Sequence, residues 1–220
     1  MRSKKRRRAI ALLSGGLDST LAAKLVIDQG IAVEAISFLS PFSTCSSRED
    51  CAAVSAASRL GARLKLVDLE DEYFETVKNP KHGYGKNLNP CIDCKIFMLK
   101  KAREYAEVVQ ADFIVTGEVL DQRPMSQHLK ALNLIEREAG LEGKLLRPLS
   151  ARLLPETEAE KKGWVNRNLL LDFRGRARRR QMDLAEALGI VDYPSPAGGC
   201  LLTEPLFCAR LKDLLEHGEP

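Results

Sequence analysis

The chain has 220 residues, 45% apolar and 29% charged, with 34 basic and 30 acidic side chains giving a net charge of +4. That apolar content excludes a disordered chain, and the length is enough to bury a core without disulfide or metal staples. No stretch approaches the roughly 18 apolar residues of a membrane-spanning helix, and so mild a net charge does not by itself point to nucleic acid.

Six of the first eight residues are basic, and Ala9 to Leu13 follow as an apolar run. The pattern imitates a signal peptide, but the run is shorter than the roughly 7–15 residues of its apolar region, and a glycine turn stands where a cleavage site would be. The reading is a cytoplasmic protein without a membrane segment. Arg8 to Leu13 is a short buried strand ending at Ser14-Gly15-Gly16. Asp18 to Gln29 is a helix stopped by Gly30, and Ile31 to Leu39 a second strand. Ser46 to Leu60 reads as a helix with Ser46 or Ser47 as cap and Gly61 behind it, and Arg63 to Val67 as a third strand. Asn79 to Pro90 is a Pro/Gly/Asn loop, Cys91 to Gln110 a long helix, and Asp112 to Thr116 a fourth strand leaving at Gly117. Gln127 to Ala139 is helical and Lys144 to Leu149 a fifth strand. Beyond Ser150 the pattern weakens, with helices expected over Glu156–Gly163, Arg174–Leu188 and Pro205–His217. Alternating strands and helices of this length predict an α/β fold, an open parallel five-stranded sheet with helices on both faces, of Rossmann-like type. Residues 1–150 form this α/β domain and 151–220 a helical extension packed on the same domain.

In such a sheet ligands bind outside the carboxyl ends of the strands. Ser14-Gly15-Gly16-Leu17-Asp18-Ser19 lies there. Two glycines allow close approach to an anion, the following helix offers unpaired N–H groups, and Ser14 and Ser19 add hydroxyls. Asp18 beside a phosphate needs a reason, either as a helix cap or as part of a cation site. The spacing fits neither a Walker P-loop nor the dinucleotide fingerprint. The hexapeptide after an apolar strand resembles the PP-loop of the ATP pyrophosphatases, a family with the adenine nucleotide alpha-hydrolase-like fold. The resemblance implies ATP with Mg²⁺ on Ser14, Gly15, Gly16, Asp18, Ser19 and Gly117, adenylylation of a substrate oxygen, and release of pyrophosphate.

Six cysteines stand at 45, 51, 91, 94, 200 and 208, and a disulfide framework is not expected in the cytoplasm. Cys51 and Cys208 read as packing, and Cys45 follows the end of the second strand. Asn89-Pro90-Cys91-Ile92-Asp93-Cys94-Lys95 opens a helix, where the dipole, Lys95 and nearby Lys86 should lower a thiol pKa. Cys200 lies in a later Gly198-Gly199-Cys200 segment. Three readings stay open: inert buried thiols, a structural zinc site on three Cys and His82, or a sulfur-handling or iron–sulfur site. Asn-Pro-Cys-x-x-Cys, then Ala111-Asp112-Phe113-Ile114-Val115-Thr116-Gly117-Glu118, then Gly-Gly-Cys resemble the tRNA thiouridylases, the 2-thiouridine and 4-thiouridine synthases, over roughly residues 8 to 205. Glu118 stands where that family usually has His, and the chain has no room for the accessory RNA-binding domains of either group, so it reads as a short branch. The resemblance implies Cys91, Cys94 and Cys200 as catalytic or metal-holding residues, through a persulfide or a 4Fe–4S cluster with one iron left open. It also implies tRNA and a sulfur-donor protein or sulfide as partners.

The loop His82 to Asn89, with Lys86, suits a lid or an RNA contact. Arg123 and Gln127 follow the fourth strand, and Arg147 the fifth, where arginine suits phosphate. Arg174, Arg176, Arg178, Arg179 and Arg180 crowd a helix start against its dipole, a cost that RNA phosphates would offset. Arg174, Arg178 and Arg179 join Lys86, Arg123 and Gln127 as the expected RNA-binding set. An acceptor other than tRNA, a small carboxylate or amide, and a nucleotide-binding module with structural zinc are the competing functions.

Overall fold

The computed structural model describes residues 6–43, 51–69, 71–195 and 200–218. Five strands, β1 (Arg8–Leu12), β2 (Ala32–Leu39), β3 (Arg63–Asp68), β4 (Phe113–Val115) and β5 (Leu145–Leu146), form one sheet in the order β3-β2-β1-β4-β5. Every pairing is parallel, with Ile10 opposite Glu34 on one side and Ile114 on the other. The chain builds outward from β1 to β3, then returns to lay β4 against the other side of β1. The strand order therefore reverses between β1 and β4, and that switch point opens the crevice in which such sheets hold ligands.

Eight α-helices accompany the strands among the described residues: α1 (Leu17–Ile27), α2 (Ala52–Leu60), α3 (Asp71–Lys78), α4 (Cys91–Val108), α5 (Leu129–Glu138), α6 (Glu158–Lys161), α7 (Arg179–Ala187) and α8 (Pro205–His217). On one face Ala9, Ala11, Phe113 and Val115 pack against Leu17 and Leu21 of α1 and against Ala151, Val165, Leu170 and Ala185 from later in the chain. On the other face Ile10, Ile36 and Ile114 meet Ile96 and Leu99 of α4 and Ile135 of α5. A third cluster, Phe42, Leu69, Tyr73, Val77, Leu202 and Leu211, joins α3 to α8. Strand residues are thus buried on both sides, which is why β1 and β4 read as unbroken apolar runs.

Several elements differ from the sequence expectation. α3 was not anticipated, because its acidic residues mask the apolar Tyr73, Phe74 and Val77. β5 is two residues long: Pro148 has no N–H to continue a ladder, and Arg147 is drawn into ion pairs. α6 and α7 are shorter than expected, and short 3₁₀ turns at Ala151–Leu153 and Arg167–Leu169 carry the chain instead. α2 begins at Ala52 behind Cys51 and ends at Gly61 in the left-handed conformation; the expected caps Ser46 and Ser47, like Cys45, lie outside the described residues. Trp164, the single tryptophan of the chain, stacks on Phe113 with centroids 6.5 Å apart, while Arg7 and Lys162 lie over its ring at 4.3 and 4.9 Å.

Gly15 has φ +77°, and a Cβ there would lie 2.2 Å from the Ala52 carbonyl carbon. Gly15→Ala therefore meets both the left-handed penalty and a backbone clash, and urea unfolding is expected to show a loss of about 3 kcal/mol. Gly163→Ala, at φ +63° in open space, is expected to lose only about 1 kcal/mol.

Candidate functional site: a glycine turn beside three thiols

The turn after β1 leads into α1 through Gly16, which is extended (φ −74°, ψ 160°), and no side chain caps the helix. The N–H groups of the first turn are left for an anion. Ser14 and Ser19 are tied to each other, Oγ to Oγ at 3.2 Å, and the Ser19 hydroxyl donates to the Gly16 carbonyl at 2.9 Å. Gly117, at the exit of β4, forms the opposite wall: a Cβ there would come within 2.5 Å of the Ser19 nitrogen. Only glycine lets the exit of β4 approach the first turn of α1 this closely.

Asp18 does not cap α1. Its Oδ2 accepts from Gln122 Nε2 and from Arg178 Nη2, each at 3.0 Å. Its Oδ1 is buried without a partner, and so are Arg178 Nε and Gln122 Oε1. An unpaired buried polar atom costs about 1–3 kcal/mol. Three such atoms in one knot mark a place that lacks a polar partner.

The thiols lie beyond the neighbouring strand exits. Cys91 is the first residue of α4, behind Pro90. The Asn89 carboxamide reaches two of the thiols: Cys91 Sγ donates to Asn89 Oδ1 at 2.9 Å, and Asn89 Nδ2 donates to Cys200 Sγ at 3.4 Å. Cys200 is brought there by a backbone bridge to Ser43, by Leu201 N–H donating to Phe42 O at 2.9 Å, and by Asn87 Nδ2 donating to Thr203 O at 2.7 Å. Cys94 accepts from the Tyr73 hydroxyl at 3.0 Å. All three thiols are half-buried.

The expected lowering of the thiol pKa values is not found. Burial pushes Cys91 and Cys200 up, outweighing Lys95 and Arg123 beside Cys91. Burial takes Cys94 to about 11 despite its bond from Tyr73. Cys91 and Cys200 both raise Cys94, and Cys91 raises Cys200. Their chemistry suits a soft metal, yet among the described residues no three Cys, His, Asp or Glu side chains are gathered closely enough to hold one. His82, the expected fourth zinc ligand, faces Glu138 at 3.3 Å instead. Cys51 and Cys208 are buried, as packing residues should be.

Behind the thiols lies a buried ion cluster. Glu118 is 5% exposed and binds Lys95 Nζ at 2.5 Å and Arg147 Nε at 2.9 Å; Arg147 also binds Glu136 at 2.6 Å. Burial alone would raise the Glu118 carboxyl, but the two cations outweigh it and hold it at about 2. Arg147 is therefore not a phosphate contact: it is 4% exposed, with both ends of its guanidinium occupied.

The remaining basic residues divide. Lys86, Arg123 and Arg179 are exposed, and Arg123 is close enough to Cys91 and Cys200 to favour their thiolates. Gln127 is 5% exposed, which removes it from an RNA surface. The helix starts only at Arg179, so most of the arginine run is turn, relieved of the dipole conflict by acids: Arg174 pairs with Asp121, Arg178 with Asp18, and Arg180 with Asp172. A separate cavity of about 250 Å³, lined by Glu136, Arg147, Thr157 and Glu160 among others, lies at β5 and away from the turn. Sequence reading missed Tyr73 and the linking role of Asn89; the latter was available in the Asn-Pro-Cys triplet.

Residues 5–152, more than half of the chain, match the family model described as Thiamine biosynthesis protein (ThiI). The tRNA-specific 2-thiouridylase MnmA of Marinobacter nauticus is 32% identical over 130 residues, covering 54% of this chain and 33% of the relative. The MnmA of Pseudoalteromonas atlantica is 30% identical over 142 residues, covering 59% and 36%. The chain thus spans about a third of the length of these curated relatives. A crystal structure of a 4-thiouridine synthetase–RNA complex with bound ATP superposes with a TM-score of 0.52 at 20% identity, covering 96% of this chain and 50% of that one. It shares the fold. No helix among the described residues is long and apolar enough to cross a membrane.

Glu118 titrates at about 2 in the folded chain against an ordinary 4.5. A depressed carboxyl gives stability that is complete above pH 4.5 and lost as pH falls toward 2, here about 3 kcal/mol. Unfolding measured between pH 5 and 2 is expected to show this loss, and Glu118→Gln to be weakened already at pH 7 with a flatter acid slope. Alkylation followed by peptide mass at neutral pH is expected to label Cys94 last of the three thiols.

Proposed function

The chain belongs to the ThiI family, and on that premise we propose that it is an ATP-dependent tRNA sulfurtransferase. One observation carries the reading. A single loop after β4 touches both halves of the site: Gln122 bonds Asp18 of the glycine turn, and the next residue, Arg123, stands by Cys91 and Cys200. Activated substrate and sulfur would therefore meet across one loop.

In this reading the triphosphate of ATP lies on the first turn of α1 and the Ser14–Ser19 loop, with Gly117 as the far wall. Asp18 Oδ1 would hold Mg²⁺, which would neutralise charge on the phosphates. A carbonyl oxygen of a uracil or cytosine attacks the α-phosphorus, forming the O–P bond while pyrophosphate leaves. Adenylylation turns a poor leaving oxygen into a good one. The base must be unstacked to expose that carbonyl.

Sulfur then replaces AMP. A persulfide on Cys200 or Cys91, charged by a sulfur-donor protein, attacks the adenylylated carbon and expels AMP. The partner thiolate attacks the protein-side sulfur, releasing the thiocarbonyl base and leaving a Cys91–Cys200 disulfide, which an external thiol reduces. Asn89, in contact with both sulfurs, supports this pairing. A second route would have Cys91, Cys94 and Cys200 hold a 4Fe–4S cluster that supplies sulfide, but as they stand the three thiols are not gathered closely enough to hold it. RNA phosphates would lie on exposed Lys86, Arg123, Arg174 and Arg179, and a tRNA substrate puts the reaction in the cytoplasm. The internal pairing of Arg174 and Arg178 leaves fewer free cations than the sequence suggested, and this favours a small-molecule acceptor as the competing reading.

The test uses protein purified without oxygen, α-labelled ATP and Mg²⁺, with and without bulk tRNA. AMP and pyrophosphate dependent on tRNA are expected, with binding that weakens steeply as salt rises. Products indifferent to tRNA would move the assignment to the small acceptor. Cys91→Ala and Cys200→Ala are each expected to abolish thiolation while α-phosphate cleavage persists. Cys94→Ala separates the routes: retained thiolation supports the persulfide, and its loss together with bound iron and sulfide supports the cluster.

A further inference from the structure

The Asp18–Arg178 pair is an incomplete ion pair. Arginine and carboxylate prefer two parallel hydrogen bonds. Here one bond forms, Nη2 to Oδ2 at 3.0 Å, and Gln122 shares the same oxygen. The atoms that would complete the fork, Arg178 Nε and Asp18 Oδ1, are both buried and both unpartnered. A pair serving only to fasten α7 to α1 would use them. The two side chains also come from positions 160 residues apart, so the guanidinium is supplied to the glycine turn by the C-terminal segment.

We propose that Arg178 is a nucleotide ligand: its guanidinium binds the triphosphate of ATP, and before the nucleotide arrives it rests on Asp18. This builds on the reading of Ser14–Ser19 as an ATP site and corrects the expectation that Arg178 faces RNA. The two charges neutralise each other in the empty turn. Incoming ATP with Mg²⁺ gives each a better partner, a cation for Asp18 Oδ1 and phosphate oxygens for Arg178 Nε and Nη2. Gln122 Oε1 remains as an acceptor facing the same exchange. Arg178 immediately precedes α7, so the exchange pulls on the segment bearing exposed Arg176 and Arg179, and nucleotide binding is sensed there.

Binding of α,β-methylene-ATP with Mg²⁺ is measured by calorimetry on the wild type, Arg178→Ala, Arg178→Lys and Arg180→Ala, with melting curves for each. Arg178→Ala is expected to weaken binding at least tenfold, Arg178→Lys to recover part of it, and Arg180→Ala, whose partner is Asp172, to stay within twofold. Equal binding by wild type and Arg178→Ala overturns the proposal. A second measurement stands even where Arg178→Ala melts early. In metal-free buffer Asp18→Asn frees the guanidinium, and inorganic pyrophosphate is expected to bind severalfold tighter; unchanged or weaker binding overturns the proposal. A wild-type chain that binds neither analogue nor pyrophosphate overturns the ATP reading itself, which separates the two failures.

Discussion

The buried carboxylate of Glu118 is the interaction on which the site geometry rests. It stands one residue beyond Gly117, at the exit of β4. It holds Lys95 from α4 and Arg147 from the end of β5, and Arg147 in turn holds Glu136 of α5. An uncompensated charge in such a position costs several kcal/mol, so the cluster exists as a whole or fails as a whole. Because Lys95 is one turn after Cys91 on the same helix, fixing Lys95 fixes Cys91 and Cys94 relative to β4. Because Gly117 is adjacent, the same anchor sets the wall of the glycine turn. The two halves of the site share one buried foundation.

The fold was readable where one residue type decides locally. Short apolar runs gave β1, β2 and β4, and glycines at 30 and 61 marked the ends of two helix regions with the expected positive φ. The glycine turn could be read for the same reason: a positive φ at Gly15 and a close backbone approach at Gly117 leave no other choice of residue. The thiols could be placed together by motif, although Cys94 is directed to Tyr73 rather than to the amide that joins the other two.

What the sequence could not supply was pairing at long range. Arg147 and Gln127 look like surface cations and amides in a string of letters, and both are buried. The acids that capture Arg174, Arg178 and Arg180 lie at 121, 18 and 172, so a run that reads as one patch is three separate attachments. The thiol pKa expectation failed on magnitude. Lys95 acts in the expected direction, joined by Arg123, but burial of Cys91 is the larger effect.

Trp164 lies at the opposite end of the sheet, where Arg7 enters β1. It stacks on Phe113 of β4 and packs against the core cluster that also holds Leu17 and Leu21 of α1 and Ala185 of α7. Being alone in the chain, it makes the protein its own optical probe. Its emission depends on whether the indole is docked between two cations and an aromatic ring, and it does not touch the glycine turn across the sheet. A change in tryptophan fluorescence on adding nucleotide would thus register as motion carried through the core that α1, α7 and β4 share, not as local quenching.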